Sequence, residues 1–323
     1  MTEVLIIGGA GMIGRKLAER LAKDGTVAGR RIDRLVLQDI VEPAAAGAAF
    51  ETRGVAGDFS VPSLADELVR SRPDVIFHLA AIVSGEAEAD FDKGYRINLD
   101  GTRLLLEAIR KVGQGYKPRL VFTSSIAVFG APFPDAIGDE FFTTPLTSYG
   151  TQKAICELLL TDYSRKGFVD GIGIRLPTIC VRPGKPNKAA SGFFSGIIRE
   201  PLNGQEAILP VPRTVRHWHA SPRAAVGFLL HAAGLDLAKM GWRRNVTMPG
   251  ISVTVAEQIE ALRKVAGDKA VALIREEPDE TIRAIVDGWS RNFDPKRALE
   301  LGFKPDASFE EIIRIYQQDE LGK

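Results

Sequence analysis

Short apolar runs alternate with amphipathic helical patterns along the first half of the chain. The runs EVLII, IDRLVLQDI, DVIFHLAAIV, PRLVFTSSIAVFG and GIGIRLPTICV predict buried strands, and SLADELVRSRP, TRLLLEAIRKVG and TSYGTQKAICELLL predict helices between them. Buried strands separated by helices need crossover connections, which favour a parallel sheet covered on both faces. The pattern therefore predicts an α/β fold with a doubly wound parallel sheet.

The pattern changes after Arg182. RPGKPNKAASG is rich in Pro, Gly and small polar residues, which is typical of a loop. Beyond it, GFFSGIIREPLNG, AVGFLLHAAG, TVAEQIEALRKVAG and FEEIIRIYQQDELG predict helices, with strand-like EAILPV and RRNVTMPG between them. We expect one domain over residues 1–182 and a smaller, mostly helical lobe over 183–323, some of whose segments return to the sheet.

Composition narrows the class of protein. The chain has 323 residues, 45% of them hydrophobic and 26% charged, with a formal net charge of +1. This balance gives no electrostatic case for binding nucleic acid or a membrane surface. The two cysteines and four histidines show no metal-ligand spacing. With no signal peptide or membrane-spanning run visible, we expect a cytoplasmic protein without a metal.

A glycine-rich turn follows the first strand. GGAGMIG places Gly8, Gly11 and Gly14 three residues apart, with Met12 and Ile13 at the opening of a helix. Such glycines allow a tight turn, close approach of the backbone to a pyrophosphate and close packing of helix on sheet, while the helix N-terminus faces the phosphates. Because the turn lies between a strand and a helix, it predicts a Rossmann-type dinucleotide site.

The second strand ends in Asp39, which bears on the type of cofactor. A carboxylate there can accept hydrogen bonds from both ribose hydroxyls and would repel a 2′-phosphate. Arg30 and Arg31 precede the strand instead of following it, so we interpret them as solvated charges. The sequence therefore favours NAD over NADP.

Two further strand ends fit a bound dinucleotide. AGDFS places Asp58 where its carboxylate can meet an adenine edge, with Phe59 beside it. HLAA ends a strand in small residues, which let a cofactor approach the backbone. We interpret His78, which opens that stretch, as a core histidine and not as a catalyst.

Ser124, Ser125, Tyr149 and Lys153 form a candidate catalytic set. The serines end a parallel strand, and side-chain alternation allows only one of them to face a given site. Tyr149 and Lys153 are one helical turn apart, so they share a face. A tyrosine with an ordinary pKa near 10 is a poor base, but a neighbouring ammonium and the cationic nicotinamide ring favour its phenolate. The set predicts hydride transfer from an alcohol.

The motifs GxxGxxG, GDFS, HLAA, NLDGT, SSIAVFG and YGTQK occur in the order seen in extended short-chain dehydrogenases/reductases, the epimerase/dehydratase family, which the whole chain resembles. The resemblance implies Tyr149 as base, Lys153 as the lysine that binds the nicotinamide ribose, and Ser125 as the serine that binds the substrate hydroxyl. Asn98 of NLDGT matches a position that supports the active site. The predicted cofactor residues are Gly8, Gly11, Met12, Ile13, Gly14, Asp39, Asp58, Phe59, Leu79, Ala80, Ala81, Asn98, Tyr149, Lys153 and Pro177.

Departures from the family pattern bear on the substrate. Thr178 stands where enzymes of nucleotide sugars carry Asn, CVRPGKPN replaces their Tyr-Gly-Pro run, and RHWHASPR lacks the Asp after Arg216. The stretches SYGTQKAICELLLTDYSRKGFVDG and RLPTICVRPGKPNKAASGFFSGIIREPLNG resemble a branch of the family that oxidises a four-carbon sugar acid at C2 with NAD⁺. Arg182, Lys185 and Arg216 are candidate partners of the carboxylate. The full set of predicted substrate residues is Ser84, Ser125, Tyr149, Thr178, Arg182 and Arg216.

Other functions remain open at this point. They are a nucleotide-sugar epimerase or dehydratase, a uronate dehydrogenase, and a non-catalytic NAD sensor, against which the presence of Ser125, Tyr149 and Lys153 argues. The family often pairs through a four-helix interface built from the helix after NLDGT and the helix of Tyr149 and Lys153. The apolar residues of TRLLLEAI and AICELLL suit such an interface, although burial on their own sheet explains much of the same pattern. We therefore expect a small-molecule substrate and a possible homodimer, with no nucleic acid or membrane partner.

Overall fold

The computed structural model describes residues 1–184 and 190–322, which divide into two compact units. The first unit comprises residues 1–128, 147–175 and 226–247, and the second comprises residues 129–146, 176–225 and 248–323. Each unit is therefore built from separate stretches of the chain.

The strands, in chain order, are β1 (Glu3–Ile7), β2 (Thr26–Val27), β3 (Arg30–Arg31), β4 (Arg34–Asp39), β5 (Glu51–Ala56), β6 (Val75–His78), β7 (Arg119–Ser125), β8 (Ile137–Gly138), β9 (Asp170–Leu176), β10 (Thr178–Ile179), β11 (Ala207–Leu209), β12 (Arg216–Ala220), β13 (Asn245–Thr247), β14 (Ile251–Thr254), β15 (Ile274–Glu276) and β16 (Phe293–Asp294).

The α-helices are α1 (Met12–Asp24), α2 (Pro62–Arg70), α3 (Ser84–Ala89), α4 (Phe91–Gly94), α5 (Gly101–Val112), α6 (Ser148–Arg165), α7 (Gly192–Leu202), α8 (Pro222–Gly234), α9 (Val255–Ala266), α10 (Asp268–Val271), α11 (Glu280–Asp287), α12 (Lys296–Glu300) and α13 (Phe309–Glu320). A π-helical turn spans Tyr95–Asp100, and 3₁₀ turns span Ile126–Val128 and Leu237–Met240.

The first unit is organised around a seven-stranded parallel sheet. Its strand order is β13-β9-β7-β6-β1-β4-β5, so the chain starts near the centre and winds outward in both directions. Every residue of β1 is buried, because helices cover both faces of a doubly wound sheet. The predicted α/β fold class is confirmed, and the returning segment is β13, which pairs in parallel with β9.

Helix α6, which carries the candidate base, is anchored to the strands by one buried ion pair. Glu157 is 4% and Arg175 12% exposed, and the guanidinium donates two hydrogen bonds to the carboxylate, at 2.9 and 2.7 Å. Ser124 Oγ donates a third to Glu157 Oε1, at 2.5 Å. The helix is thereby joined to the end of β7 and to β9, which fixes its rotation on the sheet.

The second unit has its own core and small sheets. Strand β12 lies between β10, which is parallel to it, and β14, which is antiparallel. Helices α7, α9 and α13 pack around a separate cluster that includes Phe194, Ile197, Ile259 and Ile312. The predicted helices in this part of the chain are present, whereas β12 is a strand that the apolar pattern did not reveal.

We predict that Glu157→Gln lowers the free energy of unfolding by about 3 kcal/mol, because it takes from the largely buried Arg175 the carboxylate that pairs with it. Urea denaturation followed by circular dichroism measures this change. The matched control is Asp162→Asn, which removes a carboxylate from the exposed Asp162–Arg165 pair on the same helix and should cost less than about 0.5 kcal/mol. Equal losses in the two variants would show that the buried pair does not anchor the helix.

Candidate active site

The glycine-rich turn between β1 and α1 packs so closely on its neighbours that two of its positions have no room for a side chain. Gly8 has φ +94°, and a Cβ there would lie 2.7 Å from Ala80 N; a Cβ on Gly14 would collide with Gly8 O. Gly11 caps α1 without a side-chain hydrogen bond, so the first-turn N–H groups, including those of Met12 and Ile13, can serve a ligand. The sequence predicts a pyrophosphate site at this turn, and free N–H groups at a helix start are the donors that such a site uses.

Asp39 lies at the carboxyl end of β4, beside this turn. Its Oδ2 accepts a hydrogen bond from Ala10 N at 2.9 Å, and its Oδ1 accepts one from Ile40 N at 2.7 Å. The two residues that follow, Ile40 and Val41, are apolar and largely exposed. No cation follows the strand directly, which fits the predicted ribose carboxylate.

Arg30 and Arg31 form the short strand β3 and are exposed, as solvated charges would be. Arg30 Nη1 donates to Asp74 Oδ1 at 3.1 Å. This contact is at the amino end of β6, whereas Asp39 is at the carboxyl end of β4. The two arginines therefore lie near the amino ends of the strands, whereas Asp39 lies at the carboxyl ends.

Asp58 is held in place by its neighbours. Its Oδ1 accepts from the backbone and the hydroxyl of Ser60, and its Oδ2 accepts from Arg96 Nη1. Desolvation opposes ionisation of this carboxyl, but the hydrogen bonds from Ser60 and Arg96 together outweigh it and lower its pKa. Phe59 turns inward and packs edge-on against the His78 ring, at 5.1 Å between centroids.

The HLAA segment lies directly against the glycine-rich turn. The N–H groups of Leu79 and Ala80 both donate to Ile7 O, at 2.8 and 3.0 Å, so this segment continues the β1–β6 pairing beyond β6. Leu79, Ala80 and Ala81 are partly exposed. The missing Cβ of Gly8 allows the glycine-rich turn and the backbone of Ala80 to lie this close together.

The structure distinguishes the two serines at the end of β7. Ser124 is buried and bonded to Glu157, so it belongs to the anchor of α6. Ser125 is partly exposed, and its Oγ accepts from Ala127 N at 3.1 Å, which leaves its own proton for another acceptor. Alternation along the strand therefore assigns Ser125 to the candidate site.

Tyr149 and Lys153 lie in the first two turns of α6. The side chain of the N-cap residue, Thr147, accepts a hydrogen bond from Gly150 N at 3.1 Å. Lys153 Nζ is 5.8 Å from the centre of the Tyr149 ring and 4.6 Å from that of Phe122, and it donates to Thr123 O at 2.7 Å. Tyr149 is partly exposed, while Lys153 is only 2% exposed. The pair thus shares one face of the helix, with the cation held inward and the phenol outward.

Burial lowers the pKa of Lys153 to about 8, although nearby Cys156 and Glu157 act in the opposite direction. The ammonium therefore persists at neutral pH and is lost as pH rises through about 8. Between that value and the ordinary lysine pKa, the unfolded chain holds more protons than the folded one. The contribution of this group to folding stability consequently rises with pH over that window.

Asn98 supports the end of β6 from the π-helical turn. Its Oδ1 accepts from Ile82 N at 2.9 Å, and its Nδ2 donates to Gln152 Oε1 at 2.7 Å. Asn98 and Gln152 are both buried, so the amide pair links the segment after HLAA to α6 next to Lys153. Gln152 was not predicted from the sequence; its place in YGTQK, directly before the lysine, was the available signal.

His78 is buried, as the sequence predicts for a core histidine. The Thr102 hydroxyl donates to Asn98 O at 2.7 Å, so it accepts from His78 Nε2 at 2.9 Å. Burial first, and then the Lys153 charge, lower the pKa of His78 to about 3. The ring is therefore neutral and carries its proton on Nε2.

The remaining predicted substrate residues are distributed between the two units. Ser84 is the first residue of α3 in the first unit and is partly exposed. In the second unit, Arg182 Nε donates to Ile179 O at 3.0 Å, and Arg216 pairs with Glu257 at 3.2 Å. Lys185 lies outside the described residues.

Thr178 and Pro177 also belong to the second unit, where Pro177 is buried. Thr178 Oγ1 is 2.7 Å from His217 Nε2, and His217 Nδ1 is 3.1 Å from Ser290 O. Since a carbonyl only accepts, Nδ1 carries the proton of the neutral ring. Burial lowers the pKa of His217 to about 4, so Nε2 accepts the Thr178 proton.

Two negative findings apply to residues 1–184 and 190–322. No group of three or more His, Cys, Asp or Glu side chains in these ranges is arranged to hold a metal ion. No helix in them is long and apolar enough to cross a membrane.

Comparison with known proteins identifies the class. Residues 4–220 match the NAD dependent epimerase/dehydratase family, and the chain belongs to it. The predicted family is thereby confirmed, and the two dehydrogenase relatives described next confirm the enzyme class, an NAD-dependent oxidoreductase.

Two curated dehydrogenases match nearly the whole chain. The chain is 50% identical over 320 residues to D-erythronate dehydrogenase of Cupriavidus necator, with 98% of each chain covered. It is 46% identical to D-erythronate dehydrogenase of Haemophilus influenzae, covering 97% of this chain and 98% of the other.

Among solved structures, one that closely resembles this chain is described as a different kind of enzyme. A crystal structure described as the nucleoside-diphosphate-sugar epimerase from Agrobacterium tumefaciens is 67% identical, with a TM-score of 0.97, over 99% of this chain and 95% of that one. L-threonine dehydrogenase from Clostridium difficile, at 20% identity and a TM-score of 0.85, covers 98% of this chain and 97% of that one and shares the fold.

Proposed function

We propose that this protein oxidises D-erythronate to 2-dehydro-D-erythronate with NAD⁺. The observation that carries the chemistry is the buried Lys153 ammonium beside the more exposed Tyr149 ring. A fixed positive charge next to a phenol favours the phenolate, which is the form that accepts a proton. The substrate follows from the two D-erythronate dehydrogenase relatives, which match nearly the whole chain.

The first unit fits an NAD molecule. The tight turn that Gly8 and Gly14 permit, the uncapped start of α1 and the carboxylate of Asp39 suit a pyrophosphate followed by a ribose with a free 2′-hydroxyl. The other residues proposed to bind it are Gly11, Met12, Ile13, Asp58, Phe59, Leu79, Ala80, Ala81, Asn98, Tyr149, Lys153 and Pro177. When bound, NAD⁺ accepts the hydride at C4 of its nicotinamide ring.

The protein residues handle the proton. Ser125 donates a hydrogen bond to the C2 hydroxyl oxygen of the substrate and holds it near Tyr149. The Tyr149 phenolate takes the hydroxyl proton while the hydrogen on C2 leaves with its electron pair, so the alcohol becomes a ketone. Lys153 stabilises the phenolate by its charge and binds the nicotinamide ribose.

The second unit offers recognition groups for a small sugar acid. Because the Thr178 proton is committed to His217, its oxygen can only accept, which suits a substrate hydroxyl and not a carboxylate. Arg182 and Arg216 are the proposed carboxylate partners, since a guanidinium binds a carboxylate through paired N–H groups. Ser84 is proposed for a further substrate hydroxyl.

A second candidate function is nucleotide-sugar epimerisation, which is favoured by the 67% identical structure described as a nucleoside-diphosphate-sugar epimerase. An epimerase returns the hydride to the sugar and accumulates no NADH. The replacement of the family's Asn by Thr178 argues against it. The two functions therefore differ in net reduction of NAD⁺.

The decisive experiment is a screen for NADH absorbance with four- to six-carbon sugar acids beside UDP-sugars. We expect NADH to accumulate with D-erythronate, and Tyr149→Phe to lower turnover by about a thousandfold or more while NAD⁺ still binds. Interconversion of UDP-sugars without net NADH would replace this function with the epimerase. Near-normal oxidation by Tyr149→Phe would remove Tyr149 from the role of base.

The adjacent serines provide a matched pair of variants. Ser125→Ala should lower kcat by about a hundredfold, because it removes a donor to the reacting oxygen, and cost at most about 1 kcal/mol of unfolding free energy through the lost hydrogen bond from Ala127 N. Ser124→Ala should cost about 2 kcal/mol of unfolding free energy, since it removes a hydrogen bond to the buried Glu157 carboxylate, with a smaller effect on kcat. A reversal of the two profiles would assign the roles to the opposite serines.

Cofactor preference is tested at Asp39. Asp39→Asn keeps an oxygen that can accept from Ala10 N but removes the charge, so we expect the ratio of kcat/KM for NAD⁺ over NADP⁺ to fall about tenfold or more. Asp24→Asn, on the exposed end of α1, is the control and should leave the ratio unchanged. An unaltered ratio in Asp39→Asn would mean that another group selects the ribose.

A further inference from the structure

A cleft of about 520 Å³ lies at the amino-terminal ends of the strands of the seven-stranded sheet, where β6, β7 and β9 begin. Its walls include Asp74 and Arg119, at the starts of β6 and β7, and the β2–β3 turn at Ala28. Ser125 ends the same strand that Arg119 opens, roughly 20 Å away along seven residues. The cleft is therefore separate from the candidate catalytic residues of the first unit.

The cleft carries an excess of positive charge. Arg30, Arg72, Lys117 and Arg119 line it, against the carboxylates of Asp74 and Asp170. Arg30 pairs with Asp74 at 3.1 Å and Arg119 with Asp170 at 2.7 Å. Among the described residues, Arg72 and Lys117 have no carboxylate partner. Two positive charges are consequently left to face the cleft.

The Arg72 guanidinium is held in position before any ligand arrives. Its Cζ lies 5.4 Å from the centre of the Tyr116 ring, and its Nη2 donates to Gln114 O at 3.1 Å. Tyr116 in turn donates to Pro73 O at 2.8 Å. Burial, aided by the Asp74 charge, raises the pKa of Tyr116, so the ring stays neutral beneath the cation. A pre-positioned guanidinium loses less freedom when an anion binds.

Backbone strain concentrates around the same cleft. The non-glycine residues with positive φ in the described ranges are Ala28 (50°), Arg72 (59°) and Gln114 (50°). They come from three separate loops; Ala28 and Arg72 line the cleft, and Gln114 bonds Arg72. Each costs about 1 kcal/mol, which glycine would avoid. The shape of this wall is thus maintained at the expense of stability.

We propose that this cleft binds a small phosphorylated anion through Arg72 and Lys117. A phosphate monoester carries a charge near −2 at neutral pH, which matches the two uncompensated cations, whereas a simple carboxylate carries half of that. Arginine supplies a planar fork of donors and lysine a point charge, a combination suited to phosphate oxygens. The volume is in the range of small-molecule sites and exceeds the need of a lone ion.

The test is calorimetric titration of inorganic pyrophosphate into the protein saturated with NAD⁺, at low ionic strength. We expect saturable binding to one site, weakened about tenfold or more by Lys117→Ala. Lys117 is exposed, so that variant should unfold at the wild-type temperature. Arg72→Gly should weaken binding equally, because glycine adopts the backbone conformation that Arg72 has. Lys23→Ala, an exposed lysine on α1 outside the cleft, is the control.

Several outcomes would overturn the proposal. They are no saturable heat with pyrophosphate, wild-type affinity in both Lys117→Ala and Arg72→Gly, or an equal loss in Lys23→Ala, which would indicate general charge attraction. Tighter binding of citrate than of pyrophosphate would exclude a phosphate-selective site. Pyrophosphate bound at the glycine-rich turn would not respond to Lys117→Ala, so failure of the NAD proposal and failure of this one give different results.

Discussion

The buried ammonium of Lys153 is the constraint on which the rest of the first unit depends. A charge that is 2% exposed is costly unless its surroundings compensate it. Thr123 O accepts its hydrogen bond, and the Phe122 ring offers its face. Both groups belong to β7, so the position of the cation requires that α6 sit on β7 in one register.

That register is fixed by an ion pair in which the helix supplies the anion, Glu157, and the strand supplies the cation, Arg175. Glu157, one turn beyond Lys153 on α6, is bound by Arg175 of β9 and by Ser124 of β7. Because Arg175 neutralises it, Glu157 offsets only part of the effect of burial on Lys153. The lysine therefore keeps a lowered pKa while the helix stays fixed. Anchoring and charge tuning are thus assigned to different residues of one helix.

The neutral state of His78 follows from the same constraint. A second cation in this region would repel the ammonium, and burial already disfavours it. The chain Asn98 O, Thr102, His78 Nε2 sets the tautomer without using a charge. His78 Nδ1 and Gln152 Nε2 have no hydrogen-bond partner among the described residues. These polar side chains thus add no charge near the cation, and the net charge of the region is set by Lys153 and Glu157–Arg175.

The parts of this arrangement that are local along the chain could be predicted from the sequence. The glycine-rich turn, α6 with its Tyr149–Lys153 face and the alternating strands follow from spacing of a few residues. The Glu157–Arg175 pair and the Asn98–Gln152 pair join residues far apart in sequence, and no periodicity marks such partners. Strand β12 was missed because RHWHA reads as polar, although His217 is buried by stacking on Phe194 and by bonds to Thr178 and Ser290. Tertiary burial, not pattern, decides that segment.

Residues with positive φ differ in kind between the carboxyl ends and the amino ends of the strands in the seven-stranded sheet. At the carboxyl ends of the strands, Gly8 takes positive φ, and its lack of a Cβ lets the turn pack directly against the backbone of Ala80. At the amino edge, Arg72 takes positive φ although glycine would be less strained there. Its side chain stacks on Tyr116 and faces the cleft with a charge that no carboxylate among the described residues neutralises. At the amino ends of the strands, the strained residue therefore carries a side chain that glycine would lack. The strain at Arg72 is explained by what that side chain contacts.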